Sequence, residues 1–187
     1  MVAMTISLSA AAKLVPVENG VVMYDYGGSI DTVYNPKAVA QHGILNYDSY
    51  QLTGDPQARQ NFISAANWLL AQSVDMGNYS LWEYDFRWKS YGGVESPYAS
   101  TLAQAEGIYV LVRAHNITSD ECDIAGAEKA FGAFMVDHES GGVASDEGRD
   151  NYHQGHIIQL GRIYEITGEA ILKEYSERLA AYAREGL

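Results

Sequence analysis

Leu52-Thr53-Gly54-Asp55, Ile117-Thr118-Ser119-Asp120 and Ile166-Thr167-Gly168-Glu169 are three versions of one device, and the fold follows from reading them. Each closes a helical pattern with a residue tolerant of unusual backbone angles, or with a small polar one, and each offers oxygens that can cap a following helix. After the first turn Phe62, Ala65, Ala66, Leu69 and Leu70 recur at the spacing of one helical stripe; after the third, so do Ile171, Leu172, Tyr175, Leu179 and Tyr182. These second helices read as amphipathic and outer. The first helices of the pairs, over residues 36–51, 98–115 and 152–166, are apolar around more of their surface and carry Gln41, Gln104 and Gln159 within it, so they read as inner. Inner and outer helices repeating about an axis predict an all-α chain, an α/α toroid-like array of three hairpins that cover their faces against one another.

Ahead of the helices, Val15-Pro16-Val17-Glu18-Asn19-Gly20-Val21-Val22-Met23-Tyr24 predicts a β-hairpin packed across one helix end, because Asn-Gly supplies the positive backbone angles of a tight turn. The chain then divides into an N-terminal extension with this hairpin, residues 1–34, and a helical domain, residues 35–187. Three pairs make an open arc whose end hairpins each lack one neighbour. A homodimer would cover those flanks, and a closed three-pair bundle is the rival arrangement.

Composition narrows the partners. Acidic residues outnumber basic ones 24 to 12, so a polyanion is repelled in the absence of a local basic patch, and nucleic acid is not expected. No stretch approaches the roughly 20 apolar residues of a membrane span, and the small, apolar first residues lack a basic start, which points to a cytoplasmic protein. The single cysteine, Cys122, forms no internal disulfide and reads as a small hydrophobe in a helix.

Candidate chemistry gathers in two long connections, residues 74–97 and 137–151, that both return from an outer helix to an inner one and so share a rim. The first holds Tyr79, Trp82, Glu83, Tyr84, Asp85, Phe86, Arg87, Trp88 and Tyr91, aromatic faces beside charges that suit the apolar faces and hydroxyl edges of a sugar. The alternative is a loop folded onto the helix ends as a lid on the core. The second leads through Arg149 into Tyr152-His153-Gln154-Gly155-His156, titratable groups at the start of an apolar helix. Gln104 and Glu106 either reach the saccharide or, with Gln41, bridge the inner helices. No cofactor or metal is expected: His153 and His156 lack an evident third ligand, and no lysine with serine or threonine follows Gly141-Gly142 to make a phosphate loop.

Three segments in order, Asn35-Pro36-Lys37-Ala38-Val39-Ala40-Gln41-His42-Gly43, then Pro97-Tyr98-Ala99-Ser100-Thr101-Leu102-Ala103-Gln104-Ala105-Glu106-Gly107-Ile108 with Leu111-Val112-Arg113-Ala114, then Tyr152-His153 with His156-Ile157 and Gln159-Leu160, resemble the glucuronyl C5-epimerases. The resemblance implies an α/α toroid and inversion of C5 in a glucuronic acid unit of a polysaccharide, with tyrosines as acid and base. It assigns Tyr152 as a catalytic tyrosine and leaves Arg149, His153 or His156 to neutralise the substrate carboxylate. Where the family carries a tryptophan followed by a tyrosine, this chain has Tyr98 and Ala99, so Tyr98 stands one residue from the second catalytic position. The family's stretch bearing another tyrosine and an arginine, before the final motif, is missing. The expectation is therefore an isomerase-like protein on a uronic-acid-containing saccharide, with Trp82, Glu83, Arg87, Trp88, Tyr91, Gln104 and Glu106 as binding residues. Two other classes fit the architecture: a non-catalytic module that binds a sugar chain or partner protein, and an α/α-toroid glycoside hydrolase or uronate lyase using Glu83, Asp85, Glu95 and Glu106.

Overall fold

The computed structural model describes residues 13–16, 18–88, 93–136 and 140–143, together with Lys173 and Glu177. Its elements run β1 (Lys13–Pro16), β2 (Val22–Asp25), β3 (Thr32–Val33), α1 (Pro36–Thr53), α2 (Pro56–Gln72), β4 (Val74–Asp75), β5 (Ser80–Leu81), β6 (Glu83–Tyr84), β7 (Tyr98–Ala99), α3 (Thr101–Thr118) and α4 (Glu121–Phe131), closed by a 3₁₀ turn at Gly132–Met135.

Local sequence explains where the helices begin and end. Asn35 and Ser100 each accept a hydrogen bond from the amide three residues on, at Ala38 and Ala103, satisfying an orphan N–H of the first turn. Pro36 follows its cap at the first helical position, where no N–H is needed. Gly54 and Ser119 then close α1 and α3 in the left-handed region, at φ 71° and 59°, each donating its amide back into the last turn. Asp55 and Asp120 follow directly and cap α2 and α4. The first two predicted turns thus make two helical hairpins, four helices packed in pairs. The third falls outside the described residues, apart from the helical Lys173 and Glu177, which pair at 3.8 Å.

The hairpins lie side by side with their first helices parallel. Gln41 meets Glu106 and Tyr47 meets Arg113, partners 65 and 66 residues apart, while Gly43 lies against Ala65 and Val110. Phe62, Leu69, Ile108 and Leu111 fill the interior at 2 % exposure or less; each such burial is worth about 1.5–3 kcal/mol. Eleven of the eighteen residues of α3 are buried against five of eighteen in α1, because α3 has a hairpin on one side and its own partner on the other.

The N-terminal hairpin forms as expected and gains a third strand, in the antiparallel order β1-β2-β3. Asn19 and Gly20 both have positive φ, 77° and 76°. A side chain at Gly20 would lie 2.7 Å from Asn61 Oδ1 on α2, so the turn seats against the helices only because this residue lacks one.

Two expectations need correction. Residues 98–115 do not form one helix: Tyr98–Ala99 pairs with Glu83–Tyr84, and α3 starts only after the Ser100 cap. A long-range strand partner outweighs the local helical pattern there. Cys122 is in a helix, yet exposed in the first turn of α4. Among the described residues no helix is long and apolar enough to cross a membrane.

Candidate functional site

Six aromatic rings meet beside the N-terminal ends of α1 and α3. The register of β6 with β7 sets Tyr84 opposite Tyr98, and cross-strand partners on one face stand close enough for side chains to touch. Their rings stack at 4.9 Å with 5° between planes. Phe86 lies edge-on to both, at 5.7 and 6.2 Å. Tyr26, just past β2, packs on Phe86 at 5.2 Å and on Trp88 at 5.3 Å, with Tyr24 behind it.

Polar groups hold two of the phenols. Asn35, whose Oδ1 caps α1, donates through Nδ2 to the Tyr26 hydroxyl. The Lys37 backbone in the first turn of α1 hydrogen-bonds Tyr84. A helix N-terminus carries partial positive charge, which favours negative charge developing nearby. Burial acts the other way and more strongly. It pushes the Tyr84 hydroxyl well above the ordinary phenol range, helped by Tyr26, Tyr98 and the Glu106 carboxylate. It raises Tyr98 to about 12, with Tyr26 and Asp85 adding to the effect, and it raises Tyr26 against the pull of Asn35. At neutral pH these hydroxyls are proton-bearing donors.

Glu106 is buried on α3, its Oε1 accepting from Gln41 Nε2 at 3.3 Å, so this glutamine does bridge the two parallel helices. Gln104 is wholly buried and cannot reach a ligand: Nε2 donates to Ser80 O and Ala130 O at 2.7 and 2.9 Å, and Oε1 accepts from Trp82 N. Trp82, expected at the rim, is a core residue at 1 % exposure, its Nε1 donating to Leu69 O at 2.7 Å and its ring filling the space beside Gly107. A ring with one polar atom fits an interior once a carbonyl meets that atom. Arg87 extends from the loop and pairs with the exposed Glu95 at 2.6 Å, across the Trp88–Val94 bridge, and Glu83 faces Ala99 in the small sheet.

The described part of the second connection does approach the first. Val143 O accepts from Thr101 Oγ1 at 2.9 Å and Gly141 O from the Tyr79 hydroxyl at 3.2 Å, which brings the chain to the start of α3. Tyr91, Arg149, Tyr152, His153 and His156 lie outside the described residues.

A small strand pair leading into a helix with a buried glutamate, flanked by a tyrosine-rich loop, is the context in which the sequence comparison takes on meaning. Residues 76–151 match the family model of the D-glucuronyl C5-epimerase C-terminus. The matched segment holds β5 to α4, including Tyr84, Tyr98 and Glu106. No curated protein matches the chain.

Sequence reasoning missed Tyr26 and Asn35, which join the ring cluster from outside the matched segment. The signal was slight: a tyrosine two residues past another at a strand end, then Gly27-Gly28. Among the described residues no three histidine, cysteine, aspartate or glutamate side chains converge as a metal site would require.

Proposed function

We propose that the chain acts on a uronic-acid-containing saccharide by removing the C5 proton and returning one from the opposite face. The family match over residues 76–151 carries this reading, because family members act on glucuronic acid and the segment holds Tyr98, one of the two phenols invoked below. Tyr98, kept protonated by burial, suits the acid. Tyr152, a catalytic tyrosine by resemblance, takes the part of the base in this proposal and enters as a phenolate. It takes the C5 hydrogen as a proton, and the electron pair left behind spreads into the adjoining carboxylate. Arg149, His153 or His156 answers that charge, and Tyr98 gives its proton to C5 from the other side. Exchange with solvent then returns the two phenols to their starting states. Trp88, Glu83, Arg87 and Tyr91 would flank the sugar, with Glu106 behind the phenols; Trp82 and Gln104 leave the binding set because they are buried.

Two parallel inner helices support extension by the third hairpin into a toroid-like arc. Leu45 and Leu52, seven residues apart on α1 and 64 % and 87 % exposed, offer a face for the homodimer, which light scattering at micromolar concentration tests against a monomer.

Solvent deuterium incorporation at C5 of a panel of glucuronides tests the reaction, since exchange registers even where net inversion is small. Tyr152→Phe should lower that exchange about 10² to 10⁴-fold with the fold intact. Unchanged exchange would remove Tyr152 from its role. Ala99, standing where the resemblance places a tyrosine, favours a second reading: a relative that binds the saccharide without turning it over. Binding of glucuronides with no exchange at all would establish that alternative.

A further inference from the structure

Arg113 belongs to the Leu111-Val112-Arg113-Ala114 stretch and plays no part in the site above. It sits twelve residues into α3 from Thr101, about 18 Å along the axis at 1.5 Å per residue, well away from the helix start where the phenols meet. Its guanidinium lies between two tyrosine rings, 5.3 Å from the centroids of both Tyr47 and Tyr109. Nη1 donates to the Tyr47 hydroxyl at 3.4 Å. The Nε atom is buried and, among the described residues, has no hydrogen-bond partner, and no carboxylate of those residues pairs with the group.

Arginine stays charged at any pH a folded protein meets, so this charge cannot be relieved by losing a proton. Stacking on two ring faces offsets part of it, but faces do not satisfy donors in the guanidinium plane. With Nη1 taken by Tyr47, the edge left over is Nε with Nη2, two parallel N–H groups at the spacing of a carboxylate's oxygens. A buried donor without an acceptor is uncommon enough to need a reason. Lys129 and Arg87, by contrast, are answered by Asp75 and Glu95.

We infer that Arg113, held between Tyr47 and Tyr109, is a binding site for a planar carboxylate, taken side-on by Nε and Nη2. The rings flank the fork and the Tyr47 hydroxyl fixes its rotation. The site is separate from the phenol cluster and does not depend on chemistry there.

Titration of the full chain with sodium glucuronate, sodium acetate, glucose and sodium chloride tests this by ¹⁵N–¹H spectra. The Arg113 Nε–H resonance and the Tyr47 and Tyr109 amides should shift saturably with the two carboxylates and not with glucose or chloride. A lower midpoint for glucuronate than acetate would identify a sugar acid as the source; equal midpoints would identify a simple carboxylate. Arg113→Lys keeps the charge but loses the fork, and should weaken the midpoint read at the two amides by at least tenfold. Tyr47→Phe, which removes only the hydroxyl, should weaken it less. No shift, a shift reproduced by chloride, or an unaltered midpoint in Arg113→Lys overturns the inference.

Discussion

Helices α1 and α3 are built to the same local plan and live in different surroundings. Each is eighteen residues long, starts at a side-chain cap that accepts from the third amide, and ends on a left-handed residue followed by a capping aspartate. Yet α3 is buried over most of its length while α1 leaves Leu45 and Leu52 in the open. Propensity and capping decide that a helix forms, whereas position in the array decides what its side chains do.

The largest effect should separate the interior around α3 from the open face of α1. Trp82→Ala empties a site sealed against Gly107 and frees Leu69 O, and should cost about 3–5 kcal/mol. Leu52→Ala should stay within about 0.5 kcal/mol, since the side chain is already in water. Urea unfolding of both variants checks the contrast, and comparable losses would mean that α1 is covered in solution.

The glycines inside the two helices sharpen it further. A Cβ at Gly107 would sit 2.4 Å from the Trp82 ring, so Gly107→Ala should destabilise by about 1–3 kcal/mol despite a better helix former. At Gly43 the nearest neighbours would be 3.1 Å away at Ala65 and 3.3 Å at Val110. A shift of a few tenths of an ångström suffices there, and the gain of about 1 kcal/mol in propensity should bring Gly43→Ala close to neutral. Thermal melting of the pair gives the ranking.

Removing the caps tests where the two plans are equal. Asn35→Ala and Ser100→Ala should each cost about 1 kcal/mol. Only Asn35→Ala should also disturb Tyr26, whose hydroxyl it holds, and near-UV circular dichroism reports that difference.

The smallest effect is expected at high pH, at the seam between the two helix starts. The Tyr98 phenol is raised from 10.0 to about 12 in the folded chain. A raised phenol contributes its stability in full below pH 10.0 and loses it as pH climbs to about 12, because the unfolded chain ionises first. Tyr98→Phe should therefore flatten the fall in stability over that window while leaving neutral pH nearly unchanged, as denaturant midpoints at several alkaline pH values would show.

What could be read in advance was local. Asn19-Gly20 and the Gly54-Asp55 and Ser119-Asp120 turns declare themselves because their backbone angles and capping oxygens are properties of neighbouring residues. Tyr98 misled because Pro97-Tyr98-Ala99 reads as a helix entry until Glu83-Tyr84 is brought alongside, and no local signal records a partner fourteen residues away. Trp82 misled for a related reason. A tryptophan in a charged, aromatic loop looks like a sugar platform, and only the Leu69 carbonyl and the empty side of Gly107 make it a core residue. Tyr26 was hidden by distance along the chain, since its ring neighbours Phe86 and Trp88 lie some sixty residues later.

The side chain of Gln104 has a consequence for how the molecule opens. One amide group joins Ser80 on β5, Trp82 beyond it and Ala130 at the end of α4. Its NH₂ cannot leave one carbonyl without loosening its hold on the other, and the Trp82 amide is released only when the glutamine turns away. The loop, α3 and α4 are thereby tied into a single cooperative unit, so slow amide hydrogen exchange at Trp82 would report detachment of α4 as directly as any probe on α4 itself.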